Sequence, residues 1–444
     1  MTLANKQLAI ERLDLATADP ETIEASTTRS ALPDRDIREM ASRIVTDVAD
    51  RGDAALAEYS TRFGGAPADG AFRVQREAIE GAASEVTEEL RDALKSAIRN
   101  VRACHQPQRP SATTTVPEAG VTVERIWSPL RRVGVYVPGG RAVYPSSLIM
   151  GVVPALVAGV TEICVATPAR PDGTIDPLVL TAASLLGITE IYAMGGAQAI
   201  AALAYGTESV ERADKIVGPG GPWVTAAKLA VYGECGVDLP AGPSEAAIVT
   251  DGSVDPAITA SDVMCQAEHG EESAVILVAT SERTADAVIA EIERQLPTLE
   301  RADVITKALE NHGCVVIADT TPDALAYANA WAPEHLTIHT ANARADADSV
   351  PNAGSVFIGE WTPEAAGDYA TGANHILPTG GLARSYGPLS VEDFGSWRQV
   401  QTVTRESLSG LAHTITSLAN AEGLTAHANS VTVRLGTSRL DATQ

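Results

Sequence analysis

The stretch Val133-Gly-Val-Tyr-Val-Pro-Gly-Gly140 is a short apolar strand that ends in a Pro-Gly-Gly turn. An apolar helical pattern opens at Pro145 and continues through Val157, and a second apolar strand follows over residues 162–167. Strands and helices that alternate with short turns containing Gly and Pro are typical of a parallel sheet covered by helices. We therefore predict an α/β fold around this stretch.

The same alternation continues along the chain and starts again after Pro240-Ala-Gly-Pro-Ser-Glu245. The further predicted strands are residues 190–194, 215–217, 246–249, 274–279, 314–318, 336–339 and 355–358. Two α/β halves of similar plan in series predict two successive Rossmann-like parallel-sheet domains. Because ligands bind beyond the carboxyl ends of parallel strands, we expect the chemistry in the loops that follow strands.

The segments outside this alternation have other patterns. Residues 1–30 are polar and acidic with little periodicity, which predicts an N-terminal arm, and residues 36–63 and 77–101 have helical spacing. Residues 360–381 form a long Gly-rich stretch that contains an acid and a histidine. Long loops inside compact enzymes are commonly functional, so we expect site residues there. A further helix is predicted over residues 405–422.

The charge of the chain restricts the class of protein. The 444 residues have a net charge of −24 and include only five lysines. Nucleic-acid binding requires a basic face, so we expect no nucleic-acid partner. An acidic, lysine-poor surface is typical of proteins that work in high salt, where self-repulsion is screened, although a moderately acidic mesophilic enzyme is the alternative.

The cysteine pattern and the absence of targeting segments indicate a cytoplasmic location. The five cysteines are scattered and form no CxxC pair, which fits reduced thiols and argues against a disulfide framework or a zinc finger. No apolar run approaches the ~20 residues of a membrane span, and the first residues lack the pattern of a signal peptide. We therefore expect a protein with no membrane partner.

Four acid–histidine or amide–histidine pairs supply groups that can bind a metal or transfer a proton. They are Gln266/His269, Glu334/His335, Asp368/His375 and Glu422/His427. On a helix, residues three apart share a face, so Gln266 and His269 offer an amide oxygen and an imidazole nitrogen side by side. Each pair taken alone also fits a solvated helix face or a turn. A set of nitrogen and oxygen ligands without a thiol suits a catalytic Zn²⁺ with open positions.

Ten short stretches, in this order, resemble the histidinol dehydrogenase family, and together they cover roughly residues 30–435. They are Tyr136-Val-Pro-Gly-Gly140, Gly195-Gly-Ala-Gln-Ala-Ile200, Lys215-Ile-Val-Gly-Pro-Gly220, Pro240-Ala-Gly-Pro-Ser-Glu245, Gln266-Ala-Glu-His269, Pro333-Glu-His-Leu336, Gly367-Asp-Tyr-Ala370, Asn374-His-Ile-Leu-Pro-Thr379, Leu389-Ser-Val-Glu-Asp-Phe394 and Glu422-Gly-Leu-Thr-Ala-His427. The resemblance implies an enzyme that depends on Zn²⁺, one per subunit, and on NAD⁺. It implies oxidation of L-histidinol through bound L-histidinal to L-histidine, with two hydride transfers, in histidine biosynthesis.

The resemblance also implies which residues form the site. The zinc ligands fall at Gln266, His269, Asp368 and His427. The substrate contacts fall at Ser244, Gln266, His269, His335, Asp368, His375, Glu422 and His427. Contacts to NAD⁺ fall at Tyr136, Gln198 and Gly221, and the acid–base pair falls at Glu334 and His335. At Gly221 the family usually has Asn, so we predict weak NAD⁺ binding that Gly221→Asn improves.

The domain plan that the resemblance implies is a homodimer with exchanged C-terminal segments. An arm occupies residues 1–30, and the first α/β domain, residues 31–132 plus 244–389, carries most of the metal and catalytic site. Residues 133–243 form the second α/β domain, on the NAD⁺ side. Residues 390–444 form a helical segment that completes the site of the neighbouring subunit through Glu422 and His427, and both terminal segments take part in dimer contacts.

The residue types agree with this chemistry. Oxidising an alcohol requires a proton acceptor, and an imidazole with a pKa of ~6.5, such as that of His335, accepts a proton near neutrality. Oxidising an aldehyde first requires the addition of water, which Glu334 can activate. A thiohemiacetal on Cys265 is a rival route, but on a helix Cys265 points ~100° away from Gln266.

Two other classes of function compete with the dehydrogenase. A zinc hydrolase could use Glu334 as the base on metal-bound water, but it would leave the paired α/β halves unexplained. A catalytically silent homologue that binds metal or imidazole could have lost Glu334 or His335, and both are present. The usual dinucleotide fingerprint GxGxxG is absent, so NAD⁺ binding is inferred from the resemblance together with the α/β pattern.

Overall fold

The computed structural model describes residues 8–67, 70–139 and 143–436. Gly140, at the end of the Pro138-Gly139-Gly140 turn, lies outside the described residues. The strands are β1 Glu11–Asp14, β2 Thr113–Glu118, β3 Val121–Pro129, β4 Arg132–Tyr136, β5 Glu162–Thr167, β6 Ile191–Ala193, β7 Lys215–Val217, β8 Gly236–Val237, β9 Glu245–Thr250, β10 Ala274–Ala279, β11 Gly313–Ile317, β12 His335–His339, β13 Ser355–Ile358 and β14 Gly395–Val403. The predicted α/β class with two parallel sheets is confirmed.

The helices mostly fill the spaces between consecutive strands. They are α1 Pro20–Thr27, α2 Arg35–Arg51, α3 Asp53–Phe63, α4 Arg76–Gly81, α5 Glu88–His105, α6 Pro145–Ala158, α7 Pro177–Leu185, α8 Gly196–Tyr205, α9 Pro222–Val231, α10 Pro256–Ala267, α11 Glu282–Gln295, α12 Ala302–His312, α13 Thr321–Trp331, α14 Ala343–Ala347, α15 Glu364–Tyr369, α16 Arg405–Ala421 and α17 Thr425–Leu435. In the part of the chain that the structure describes, none of them is long and apolar enough to cross a bilayer.

Contacts divide the chain into two units. The first contains the residues up to Gln108 and Leu130–Phe394, and the second contains Arg109–Pro129 and the residues from Gly395 onward. The second unit is built on the antiparallel sheet β14-β3-β2 and on helices α16 and α17. Both parallel sheets belong to the first unit.

The larger parallel sheet has the order β1-β11-β10-β9-β12-β13. Its central strand β9 is buried along its whole length, which explains why Glu245-Ala-Ala-Ile-Val-Thr250 is a nearly continuous run of small and branched side chains. From β9 the chain continues to β10 and β11 on one side, and then returns to place β12 on the other side. The strand order therefore reverses between β9 and β12.

The smaller parallel sheet has the order β6-β5-β4-β7-β8. Its order reverses between β4 and β7 in the same way. Helix α6 packs closely on this sheet, since a Cβ atom added to Gly151 would lie 2.5 Å from Cγ1 of Val135. A larger residue at position 151 would push α6 away from β4.

The structure differs from the sequence-based expectations in several segments. The region predicted as an arm contains β1, which pairs with β11, and α1. The helical stretch predicted over residues 77–101 is broken into α4 and α5, and α5 begins with Thr87 as its N-cap, whose side chain accepts a hydrogen bond from Leu90 N. Strands β2, β8 and β14 and helices α12, α14 and α15 were not predicted, and α15 lies inside the stretch expected to be a long loop.

Candidate functional site

The predicted acid–base pair and Gln266 lie at the amino ends of β9 and β12. His335 is the first residue of β12 and pairs with Ala246, near the start of β9. Helix α10 ends at Ala267, beside the same edge, and brings Gln266 next to His335. These residues therefore do not lie in loops after strands, where we expected site residues, because a helix that follows a strand returns to the strand's amino end.

His335 and Gln266 form a buried hydrogen bond that fixes the imidazole. Nδ1 of His335 lies 3.1 Å from Oε1 of Gln266, so Nδ1 carries the proton and donates it. Nε2 of His335 is buried without a partner among the described residues, and its lone pair is free to accept a proton. Oε1 of Gln266 keeps a second lone pair for a metal ion.

Three ligand-type side chains converge next to this pair. His269, Glu364 and Asp368 each offer an atom, and these atoms lie within 4.8 Å of one another. Nε2 of His269 is 3.8 Å from Oδ2 of Asp368, and its Nδ1 is 3.9 Å from Oε1 of Glu364. Both acids are buried, whereas the His269 side chain is 35% exposed, so the cluster opens to solvent on the His269 side. The donor set suits a divalent cation such as Zn²⁺.

Glu364 lies in this cluster and was not predicted from the sequence. It is 1% exposed, and its Oε1 has no hydrogen-bond partner among the described residues. An unpaired buried carboxylate oxygen beside a histidine is a costly arrangement that a bound cation would relieve. The available pattern was the spacing of four between Glu364 and Asp368, which places both acids on one face of the short helix α15.

His375 joins the cluster from the loop after α15. Its Nδ1 lies 3.2 Å from the carbonyl oxygen of Asp368 and 3.6 Å from Oδ1 of the same residue. The neighbouring Asn374 donates a hydrogen bond from Nδ2 to the carbonyl oxygen of Met150 on α6, at 2.9 Å. Asn374 therefore connects the His375 loop to helix α6, which packs on the smaller sheet. Ser244 precedes β9 at the same amino edge, where its carbonyl oxygen accepts a hydrogen bond from Ala274 N.

Burial controls the protonation of this group. It raises the pKa of the Glu334 carboxyl well above its usual range, and nearby Glu245 and Glu364 raise it further. Burial also lowers the pKa of His335 to about 3. With the ordinary imidazole pKa of ~6.5 we expected a strong proton acceptor near neutrality; the lower pKa makes His335 neutral across a wider pH range and a weaker base than expected.

The residues predicted to contact NAD⁺ lie at the carboxyl edge of the smaller sheet. Tyr136 ends β4, and its hydroxyl oxygen accepts a hydrogen bond of 3.1 Å from the backbone N–H of Gly196. Gln198 is buried two residues further along, in the first turn of α8, and Gly221 precedes α9. The point where the strand order reverses, between β4 and β7, is the usual position of a bound dinucleotide.

Two predicted site residues belong to the second unit. Glu422 follows α16 and His427 lies in α17, and both are exposed on the single chain.

Cys265 lies on α10. Burial raises the pKa of its thiol, and the nearby acids Glu364 and Asp368 raise it further. A thiol of that kind is a poor nucleophile, which argues against the thiohemiacetal route.

Comparison with known proteins agrees with the resemblance. A family model described as histidinol dehydrogenase matches residues 27–435. The histidinol dehydrogenase of Geobacter sulfurreducens is 45% identical over 403 residues, which cover 90% of this chain and 94% of that protein. That of Natronomonas pharaonis is 45% identical over 412 residues, covering 91% of this chain and 96% of that protein.

A solved structure matches over nearly the whole chain. The crystal structure of histidinol dehydrogenase from Elizabethkingia anophelis superposes with a TM-score of 0.90 at 34% identity, covering 98% of this chain and 99% of that one. The family resemblance predicted from the sequence is thereby confirmed. The chain belongs to the histidinol dehydrogenase family.

Proposed function

We propose that the protein is a zinc-dependent histidinol dehydrogenase that oxidises L-histidinol through bound L-histidinal to L-histidine with two NAD⁺. Family membership supports the reaction class. The observation that carries the proposal is the buried edge where Gln266, His269 and Asp368 lie beside Glu334 and His335. A possible cation site and a free imidazole nitrogen thus meet in one place, as alcohol oxidation requires.

One Zn²⁺ per subunit would be held by Gln266, His269 and Asp368, with His427 as the fourth ligand. When bound, the metal supplies a positive centre that orients the imidazole and amine of the substrate. The buried, unpaired oxygen of Glu364 supports this assignment, because burial raises the pKa of its carboxyl well above the usual range and a bound cation would favour the ionised form. The further substrate contacts are assigned to Ser244, His375 and Glu422.

His335 and Glu334 would carry the proton transfers. Nε2 of His335 accepts the hydroxyl proton of histidinol as the hydride leaves for NAD⁺. Glu334 takes a proton from the water that adds to the aldehyde, and its raised pKa makes its ionised form a better base for this step. NAD⁺ would bind near Tyr136, Gln198 and Gly221, where each of the two hydrides is delivered in turn.

Removing one acid of the cluster tests the metal assignment. We expect Asp368→Asn to lose bound zinc, measured as zinc per subunit by elemental analysis after dialysis, because an amide is a weaker ligand than a carboxylate. Glu268→Gln is the matched control, since Glu268 is an exposed acid next to His269. Equal zinc content in both variants and the parent protein would count against the site.

The protein is further proposed to act as a homodimer in which Glu422 and His427 complete the partner's site. Co-expression of Glu334→Gln and His427→Ala subunits tests this. If the segments are exchanged, a mixed dimer has one intact site, and random pairing restores about a quarter of the parent activity. If each chain completes its own site, the mixture stays inactive.

A zinc hydrolase and a silent homologue that binds metal or imidazole are the alternatives, and NADH formation distinguishes the dehydrogenase from both.

The absence of disulfides among the described cysteines supports a reducing compartment, the cytoplasm. The net charge of −24 supports adaptation to high salt.

A further inference from the structure

Arg29 lies between α1 and α2, far along the chain from the site residues, yet its side chain reaches the core of the first unit. The side chain is 16% exposed. Its guanidinium forms an ion pair with Glu245 and stacks on the ring of Trp331 at 3.4 Å from the centroid. It also donates to the carbonyl oxygen of Trp331, and to that of Ala332 at 3.4 Å. A planar cation is needed to make all of these contacts at once.

The carbonyl oxygens that Arg29 binds belong to the end of α13, directly before the acid–base pair. Ala332 has a φ of +53°, and it is the one residue other than glycine with a positive φ in the described chain. This turn ends the helix and directs the chain into Pro333, Glu334 and His335. Helix-terminal carbonyls without intrahelical partners are stabilised by cationic side chains, so Arg29 holds the turn that sets the direction of Glu334.

A second connection from Arg29 to Glu334 passes through Glu245. The Glu245 side chain is 6% exposed, and its Oε1 accepts a hydrogen bond of 3.1 Å from the backbone N–H of Gly380. The backbone N–H of Glu245 donates to Oε2 of Glu334 at 3.0 Å. Without Arg29, the buried Glu245 carboxylate would lack a partner of opposite charge. Its displacement toward water would move the backbone N–H of Glu245, which orients Glu334.

We propose that Arg29 is a positioning residue for the Glu334–His335 pair, acting through Glu245 and through the end of α13. This inference rests on the proposed function, because it assigns Arg29 to the step in which Glu334 activates water. The described contacts of Arg29 include none of the proposed zinc ligands Gln266, His269 and Asp368. Its loss should therefore affect the turnover of the aldehyde more than the binding of the substrate.

Arg384 provides a matched control. It donates to the carbonyl oxygen of Ala330 on the same helix end, and to that of Gly381 at 3.0 Å, but its described bonds do not include Glu245. Arg384→Met therefore removes one cationic cap from α13 and leaves the Arg29–Glu245 connection in place. A purely structural role for Arg29 would give both variants the same behaviour.

The experiment measures kcat and KM for NADH formation from L-histidinal and from L-histidinol, with zinc-loaded parent protein, Arg29→Met, Arg384→Met and Arg29→Met/Glu245→Gln. For Arg29→Met we expect kcat with histidinal to fall about tenfold or more, the effect of ~1.4 kcal/mol on a barrier, with KM changed less than about twofold. The double variant should recover part of that loss, because no buried charge remains unpaired. Arg384→Met loses one cap of α13 but keeps the Arg29–Glu245 ion pair, so its kcat with histidinal should fall clearly less than that of Arg29→Met.

Equal losses of kcat in Arg29→Met and Arg384→Met, or a loss that appears only in KM, would overturn the proposal. If Arg29→Met is insoluble, the double variant decides: a soluble double variant with the parent's kcat on histidinal would also overturn it. Parent protein that makes no NADH from either substrate would instead reject the proposed function.

Discussion

Lys228→Met should disrupt the turn that follows β7, on the proposed NAD⁺ side of the protein. Nζ of Lys228 donates to Oδ1 of Asp238 at 2.5 Å and to the carbonyl oxygen of Gly218. Oδ2 of Asp238 accepts the backbone N–H of Gly218 at 2.7 Å. The pair therefore holds both backbone groups of Gly218, whose φ of +119° brings it against Tyr136.

The size of the effect follows from the burial of the pair. The side chains of Lys228 and Asp238 are 5% and 1% exposed. Removing one partner of a buried pair leaves an uncompensated charge, which costs about 3–5 kcal/mol. In Lys228→Met/Asp238→Asn most of this loss should be recovered, because an amide oxygen can still accept the Gly218 N–H.

The assay is urea denaturation followed by circular dichroism, together with the Michaelis constants for NAD⁺ and histidinol. We expect the apparent free energy of unfolding to fall by about 3–5 kcal/mol and KM for NAD⁺ to rise while KM for histidinol stays constant. The control is Lys307→Met, since Lys307 pairs with Glu271 at side-chain exposures of 56% and 43% and should cost less than about 1 kcal/mol. Equal losses from the two lysine variants would refute the reasoning.

Three further predictions test other parts of the site. Gly221→Asn should lower KM for NAD⁺, because it restores the residue that the family usually has at this NAD⁺ contact. The position accepts Asn, since Gly221 is the N-cap of α9, its φ is −68°, and an added Cβ atom meets nothing within 4 Å. An unchanged KM would count against this. Burial raises the pKa of Asp262 to about 7, so the contribution of this one group to stability is full below the unfolded-state pKa of ~3.9 and is lost as pH rises through 7. Asp262→Asn removes this titrating group, so it should gain stability over the parent in urea titrations at pH 8 but not at pH 4, and equal differences at both would contradict it. Cys265→Ser should keep parent activity with histidinal, since burial keeps the thiol protonated, and loss of that activity alone would restore the thiohemiacetal route.

The elements that the sequence predicted well are those whose periodicity is set by burial. Strand β9 and its neighbours are apolar because both faces of the sheet are covered, so a single segment already indicates a central parallel strand. Strands β1 and β14 lie at sheet edges, and β14 is mostly exposed, so neither carries such a pattern. Their pairing depends on segments distant in the sequence, which periodicity cannot report.

The site residues were predicted mainly through the family resemblance, and their arrangement was not. The general rule for parallel sheets directed attention to carboxyl ends, which fits Tyr136 but not Glu334. Glu364 carried no motif of its own, and its importance became visible only when its unpaired oxygen was placed beside His269. The connection between Arg29 and Glu334 joins parts of the chain that no local pattern relates.

The most direct test of the central claim counts NADH formed per L-histidinol consumed, with purified protein in molar salt, before chelation, after chelation and after return of Zn²⁺. We expect two NADH per substrate, lost with the chelator and restored by zinc. One NADH per substrate would mean that the aldehyde is released and that Glu334 lacks the role given to it. No NADH across a range of salt and NAD⁺ concentrations would contradict the account.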